Sequence, residues 1–289
     1  MKTRLTILTF LLTALCLPAT APAFDFKKLD LDKMRQAGEK LKPLRELSES
    51  DEIEMGRGVA ANLLGAAPLV NDPPMQAYVN RIGKWLAMHS ERPNLPWRFG
   101  VLDTNGVNAF ATPGGYVFIT RGMLIRCRDE AELAGILAHE ISHVVERHAL
   151  NTMRKGALVG LAGDAFSEYA AKQGKESLTK LVSAGTEIFT RGLDKEDEFA
   201  ADRFGVVIAA RAGYDPYGLP GVLQTLASIN PKDDAVALMF KTHPDPGKRL
   251  ELITGVMEGR LDQYVDAPTA AARFVQMTSK YANTGTKNP

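Results

Sequence analysis

The spacing of hydrophobic and polar residues predicts a series of helices interrupted once by a short β-region. Residues 24–50 are rich in Lys and Leu and predict a loosely helical arm, whereas residues 51–65 predict a firmer helix. The turn Asn71-Asp72-Pro73-Pro74 starts another helix that runs to about Ser90. The N-terminal part of the pattern is therefore helical.

The period of the pattern changes to two between residues 97 and 120. In the segment WRFGV, residues 97–101, apolar residues alternate with Arg and Gly, which is typical of a strand. Two further runs, residues 109–111 and the segment YVFIT at 116–120, flank Pro113-Gly114-Gly115. Pro and Gly at this point indicate a turn. This region therefore predicts a small sheet that contains a hairpin.

The strongest helix pattern covers residues 129–150. Asp129 can cap the first turn, and Glu132 stands three residues later, at the capping-box spacing. An apolar stripe follows at helical spacing, formed by Leu133, Ile136, Leu137, Ile141, Val144 and Val145. Further helices are predicted at 194–211, at 216–229 and from Lys248 to Gly255, with a sharp break at 243–246. The whole pattern predicts an α+β fold that is mainly helical.

The two ends of the chain differ from the rest. Lys2 and Arg4 precede an apolar run to Leu17 and the small-residue site Ala21-Pro22-Ala23, which predicts a secretory signal peptide at 1–23. The apolar run is shorter than the about 20 residues of a membrane-spanning helix, although an uncleaved anchor is the alternative. A lipoprotein site at Cys16 is less favoured. Residues 267–289 are small and polar and predict a flexible tail.

Composition and charge exclude several classes of function. The chain has 289 residues, with 35 basic and 34 acidic side chains, so no basic surface predicts a nucleic-acid partner. Loss of the signal peptide leaves one of the two cysteines, Cys127, which cannot form an internal disulfide bond. Arg126 and Arg128 could lower its pKa, but a small buried residue is the favoured interpretation. The predicted location is the periplasm, with peripheral association with a membrane left open.

Two histidines stand four residues apart in the segment HEISH, residues 139–143. At about 100° per residue, His139 and His143 lie on one face of the predicted helix, so both imidazoles can bind one Zn²⁺ ion. Glu140 follows the first histidine and is turned toward the open side of the metal. Because zinc lowers the pKa of a bound water toward about 7, Glu140 can take its proton. The motif predicts one zinc ion per chain, with Glu140 as the general base.

A zinc site of this kind needs a third protein ligand. The metzincin pattern, which requires Gly at 146 and His at 149, is excluded by Glu146 and Ala149. His148 stands five residues after His143, about 140° around a continuous helix, and is therefore interpreted as a solvated histidine.

A second helix offers carboxylates for the missing ligand. Glu198 and, one turn later, Asp202 share a face. Glu198 would complete the metal site, and Asp202 would accept the second ring N–H of a ligand histidine. Spacing alone does not choose between Glu198 and the neighbouring acids Asp194 and Glu196.

Four segments together resemble the zinc metallopeptidases grouped with HtpX, BepA, mitochondrial Oma and the CAAX prenyl endopeptidases, which are gluzincins. The segments are Asn108 to Gly115, the motif at 139–143, Glu198 to Asp202, and Thr242-His243-Pro244 with Arg249. The resemblance implies a metallopeptidase domain at 51–266, whose small sheet places an edge strand beside the zinc site. It is closest to the soluble periplasmic branch, but the transmembrane helices and the tetratricopeptide domain of other members have no counterpart here.

The resemblance implies roles for individual residues. His139, His143 and Glu198 would hold zinc, and Glu140 would act as base and acid. His243 would lie near the metal, either capping it at rest or stabilising the oxyanion, unless it is only a turn residue packed beside Pro244.

Two further roles follow from the resemblance. Arg249 would hold a carboxylate near the site or be an ordinary helix residue. Four consecutive residues would pair with an extended substrate backbone, or would belong to a core hairpin without a substrate role; they are Asn108, Ala109, Phe110 and Ala111.

The implied function is a zinc endopeptidase that cleaves unfolded or misassembled envelope proteins. Outer-membrane assembly machinery is a partner by analogy only. The alternative is a zinc-containing periplasmic chaperone or assembly factor with a capped, largely latent protease site. Glu140 argues against that alternative, because a structural zinc site needs no base. The Gly-rich segment 152–193 separates the two ligand-bearing helices, and we expect it to form a lid over the cleft.

Overall fold

The computed structural model describes residues 47–152, 192–264 and 266–282. Several predicted features lie outside the described residues: the signal peptide at 1–23, the arm up to residue 46, the expected lid between 153 and 191, and residues 283–289. Within the described part of the chain, no helix is both long enough and apolar enough to cross a membrane.

A three-stranded sheet forms where the period of two predicts it. The strands are β1 (Arg98–Leu102), β2 (Ala109–Thr112) and β3 (Tyr116–Thr120). They lie in the order β1-β3-β2, with β1 parallel to β3 and β2 antiparallel to it. Gly114 and Gly115, with φ of 74° and 100°, make the turn of the hairpin, because side chains other than glycine rarely adopt these angles. In the described sheet, β2 is an edge strand.

Helices make up most of the described residues. They are α1 (Glu49–Ala66), α2 (Pro73–Ala87), α3 (Arg121–Leu124), α4 (Glu130–Val145), α5 (Lys195–Arg211), α6 (Gly218–Ala227), α7 (Ala237–Thr242), α8 (Pro246–Met257) and α9 (Ala271–Ala282). A short 3₁₀ turn lies at Asp262–Tyr264. The architecture confirms the predicted α+β fold, mainly helical with a small sheet.

Helix α4 is the centre of the fold. Asp129 caps it by accepting the N–H of Glu132 at 2.9 Å, as its sequence predicts. Its residues are buried on all sides, since α2, α5, α6 and β2 pack around it. Helix α5 comes especially close: a β-carbon at Gly205 would lie 2.9 Å from the backbone nitrogen of His139. This glycine lets α5 approach the HEISH motif closely enough for short acidic side chains to reach it.

Helix α9 corrects the predicted tail, because residues 271–282 are ordered against the domain. Phe274 is buried in the main core at 2% exposure. Arg273 Nε donates to buried Glu130 at 2.6 Å, and the hydroxyl of Tyr281 donates to Asp72. The composition of the segment predicts fraying, but its order comes from contacts with residues far away in the sequence.

Replacing Phe274 with Ala is expected to lower the free energy of unfolding by about 3 kcal/mol, since removing a buried phenyl ring leaves a cavity. Urea denaturation measures the change. Val275, the next residue, is 55% exposed and supplies the control, because Val275→Ala should change stability by no more than about 0.5 kcal/mol. Equal, small effects of both substitutions would contradict the docking of α9.

Candidate metal centre

Helices α4 and α5 bring three potential metal ligands together. His139 Nε2 and His143 Nε2 are 3.1 Å apart. The two carboxylate oxygens of Glu198 lie 3.6 Å from His139 Nε2 and 3.5 Å from His143 Nε2. One ligand atom from each residue therefore falls within 4.8 Å of the other two.

The three side chains fit a zinc ion. All are buried, and two imidazole nitrogens with one carboxylate oxygen form a typical catalytic zinc set. Glu198 Oε1 has no hydrogen-bond partner among the described residues, although buried polar atoms are normally bonded. A cation between this oxygen and the two facing nitrogens would satisfy all three groups.

Asp202 and Arg249 support the first histidine. His139 Nδ1 donates to Asp202 Oδ1 at 2.9 Å, which leaves Nε2 free to face Glu198. Arg249 donates to both oxygens of Asp202, at 2.9 and 2.6 Å, and is itself buried. Burial would raise the pKa of Asp202, but the charge of Arg249 outweighs it and lowers that pKa. The contacts thus favour an ionised Asp202, which accepts from His139 Nδ1 and is held by Arg249.

The two motif histidines differ in proton affinity. Burial and the charge of Arg249 act to lower the pKa of His139, but Asp202 and Glu198 raise it to about 9. Burial lowers the pKa of His143 well below its ordinary value. In the metal-free protein His139 therefore carries the proton near neutral pH, and zinc would displace it on binding.

His243 lies next to the carboxylate of Glu198. Its Nδ1 is 2.7 Å from Glu198 Oε2, and its ring centroid is 6.0 Å from that of His139. It follows directly after α7, a short helix that the sequence pattern does not predict because its apolar residues fill less than two turns. The structure thus brings His243 into the cluster.

Glu140 is on α4 and borders a cleft beside the metal cluster. Its side chain is 3% exposed, and burial raises its pKa, while His139 and His243 act in the opposite direction. A raised pKa makes this carboxylate a better proton acceptor than an exposed glutamate.

The cleft runs between the cluster and the edge strand β2. It is lined by residues of β2 and by Glu140, His143, Glu198 and His243. Thr120 N donates to the main-chain oxygen of Asn108, so these two residues form a hydrogen-bonded pair. Hydrogen-bonded and non-hydrogen-bonded pairs alternate along the antiparallel strands β2 and β3. In the register that pairs Ala109 with Ile119 and Ala111 with Val117, the main-chain groups of both alanines point away from β3.

The four predicted substrate-binding residues are not equivalent. The side-chain oxygen of Asn108 accepts the N–H of Ala109 at 3.0 Å, so both groups are used within the strand. Ala111, whose main-chain groups point outward from the sheet, and the half-buried Phe110 both line the cleft.

Three sequence interpretations change in the structure. Asp194 and Glu196, the competing acids, are exposed and are not brought to the cluster. His148, interpreted as solvated, is 5% exposed, and its Nδ1 lies 2.9 Å from His143 Nδ1. The spacing argument assumes a continuous helix, whereas α4 ends at Val145 and the chain turns at Arg147, where φ is 56°. The spacing of residues along the sequence does not indicate that the helix ends here.

Known proteases resemble this chain in sequence. A model of peptidase family M48 matches residues 73–256. The β-barrel assembly-enhancing protease of Escherichia coli (strain K12) is 33% identical over 248 residues, which are 83% of this chain and 50% of that protein. Mitochondrial metalloendopeptidase OMA1 of Arabidopsis thaliana is 28% identical over 199 residues (68% of this chain, 39% of that protein). Metalloprotease YcaL of Escherichia coli (strain K12) is 28% identical over 158 residues (55% and 61%). The chain spans about half the length of the first of these relatives.

Proposed function

The chain belongs to peptidase family M48, a family of metallopeptidases, and on this premise we propose that it is a zinc-dependent endopeptidase that cleaves unfolded or misassembled proteins of the cell envelope. One observation carries the proposal. The buried cluster of His139, His143 and Glu198 opens, together with Glu140, onto a cleft whose other wall is an edge strand. A structural zinc site needs neither the carboxylate nor the cleft.

The chemistry follows from the residues around the cleft. A zinc ion held by His139, His143 and Glu198 would polarise the scissile carbonyl and acidify a water molecule. Glu140 accepts the proton of the attacking water and then delivers a proton to the leaving amine. Asp202 and Arg249 keep His139 in the tautomer that presents Nε2. His243 can donate a hydrogen bond to the carbonyl oxygen as negative charge develops on it.

The edge strand suggests how a substrate is held. An extended peptide can pair with the main-chain carbonyl of Ala109 and with the outward main-chain groups of Ala111, beside Glu140. Such pairing selects backbone that is not already paired, so folded proteins are poor substrates. Side chains contribute little to this recognition, which suits a protease that acts on many unfolded polypeptides.

Location and partners are part of the proposal. The predicted signal peptide at 1–23 would direct the protein to the periplasm, where peripheral contact with a membrane is compatible with the sequence. One relative is named for enhancing β-barrel assembly, so outer-membrane assembly machinery is the partner that we propose by analogy.

A second candidate function rests on His243. Because His243 bonds to Glu198 at 2.7 Å, it occupies one side of the ligand cluster. A histidine in this position could cap the site, and the protein would then be a zinc-containing periplasmic chaperone or assembly factor with a latent protease site.

Metal removal tests both functions on the purified protein. We expect about one zinc ion per chain and cleavage of unfolded casein that a chelator abolishes and added zinc restores. Folded, disulfide-bonded lysozyme is the control substrate and should remain intact. Bound zinc without cleavage would favour the capped site, in which case His243→Ala should release activity. A protein that binds no zinc would contradict both functions.

A further inference from the structure

The structure brings a second, unassigned histidine against the metal cluster. His148 Nδ1 lies 2.9 Å from His143 Nδ1, with the two rings edge to face and their centroids 5.0 Å apart. We infer that His148 is a positioning residue that fixes the tautomer and orientation of His143 for metal binding. This inference rests on the proposed zinc site.

The tautomers follow from the contacts. His143 Nε2 faces His139 and Glu198, so this nitrogen must keep its lone pair for a metal. Its proton is then on Nδ1, where it is donated to His148 Nδ1. His148 consequently carries its own proton on Nε2, which lies 3.7 Å from Asp197 Oδ1. Asp197 thus orients His148 electrostatically, and His148 orients His143.

The backbone is shaped to make this contact. On a continuous helix His148 would lie about 140° around from His143. Instead, Arg147 adopts φ of 56°, an uncommon conformation for a residue other than glycine, and residues 148–152 start a new helical stretch. The turn folds His148 back over the outer face of His143.

Ion pairs to the buried carboxylate of Glu52 hold this turn in place. Arg147 Nε lies 3.2 Å from Glu52 Oε2 on α1. The same carboxylate binds Arg92 at 2.8 Å, and Arg92 also donates to the main-chain oxygen of Val144 at 3.2 Å. The end of α4 is therefore tied to α1 from two sides, which keeps His148 against His143.

The two motif histidines are supported in parallel ways. His139 donates directly to Asp202, whereas His143 reaches Asp197 through His148. Both carboxylates are on α5, the helix that also carries Glu198. One helix thus supplies a ligand and the outer anchors of both histidines.

Two substitutions at residue 148 separate positioning from packing. His148→Leu fills the space but cannot accept a hydrogen bond, and it should weaken zinc binding about 10- to 100-fold. His148→Asn places an amide oxygen near the position of Nδ1, where it can accept the hydrogen bond from His143. The zinc affinity of this variant should therefore stay within about fivefold of that of the unmodified protein. His89→Ala, which removes a histidine just beyond the C-terminal end of α2, should leave zinc affinity unchanged. Competition with a fluorescent chelator gives the dissociation constants.

Equal zinc affinity in all variants, or equal loss in the Leu and Asn variants, would overturn the inference. The ¹⁵N–¹H imidazole spectrum of the unmodified zinc protein provides a second readout that needs no variant. It should show the proton of His143 on Nδ1, and a proton elsewhere would also overturn the inference. Both readouts report metal binding, so zinc binding without proteolysis would contradict only the proposed function. A protein without zinc would contradict both.

Discussion

Replacing Glu140 with Gln is expected to reduce cleavage of an unfolded substrate by about 10²- to 10⁴-fold, the usual contribution of a general acid or base. The amide has nearly the same shape as the carboxylate but cannot accept the proton of an attacking water. Glu140 is not one of the three clustered ligands, so zinc content should remain at about one ion per chain. The measurements are kcat/KM on a fluorogenic unstructured peptide and metal analysis of the same sample.

Glu146→Gln supplies the matched control for this prediction. Glu146 lies on the exposed side at the end of the same helix, and the change removes the same charge. Its activity and zinc content should equal those of the unmodified protein. Cleavage by the Glu140→Gln variant at a rate close to normal would mean that another group takes the proton. Loss of zinc in that variant would place Glu140 among the ligands instead.

The sequence predicts the site most successfully where the geometry is local. The four-residue spacing of His139 and His143 determines a shared helix face without any knowledge of the rest of the fold. The alternation around residue 99 likewise predicts a strand, and Gly114 and Gly115 predict the hairpin. The M48 match confirms both the resemblance and the class of enzyme, whereas the roles of the individual residues remain predictions.

The choice among Asp194, Glu196 and Glu198 depends on which face of α5 meets α4. Gly205 carries a signal that could have narrowed this choice to Glu198 and Asp194. It stands seven residues after Glu198 and three after Asp202, on the same face of the helix, and its missing side chain allows the close approach to His139. A small residue two turns after a candidate ligand thus identifies the packed face and excludes Glu196, which lies on the opposite side. By spacing Asp194 would share the packed face, but it is the N-cap residue and precedes the first turn of α5.

Features that depend on distant contacts are not visible in the local pattern. His148 reaches His143 only because the chain turns at Arg147, and that turn is held by Glu52, which is on another helix. Helix α9 is ordered by Arg273, whose partner Glu130 is 143 residues away. Local propensity is a weak guide in both places, since tertiary contacts decide the conformation.

Replacing Glu198 with Gln is expected to weaken zinc binding by more than about 100-fold, beyond the usual effect of changing an outer-shell partner. The neutral amide is a poor zinc ligand, although it retains the volume of the carboxylate. Competition with a chelator measures the loss, and proteolysis should fall with it.

The same substitution should leave the metal-free protein folded, which separates a ligand from a core residue. The amide oxygen can accept from His243 as Glu198 Oε2 does, at 2.7 Å. The amide nitrogen, in the position of Glu198 Oε1, can donate to His143 Nε2. Thermal unfolding of metal-free samples should therefore remain cooperative. Glu196→Gln, on the exposed face of α5, is the control and should retain full zinc affinity, and equal effects of the two substitutions would contradict the assignment of Glu198 as the third ligand.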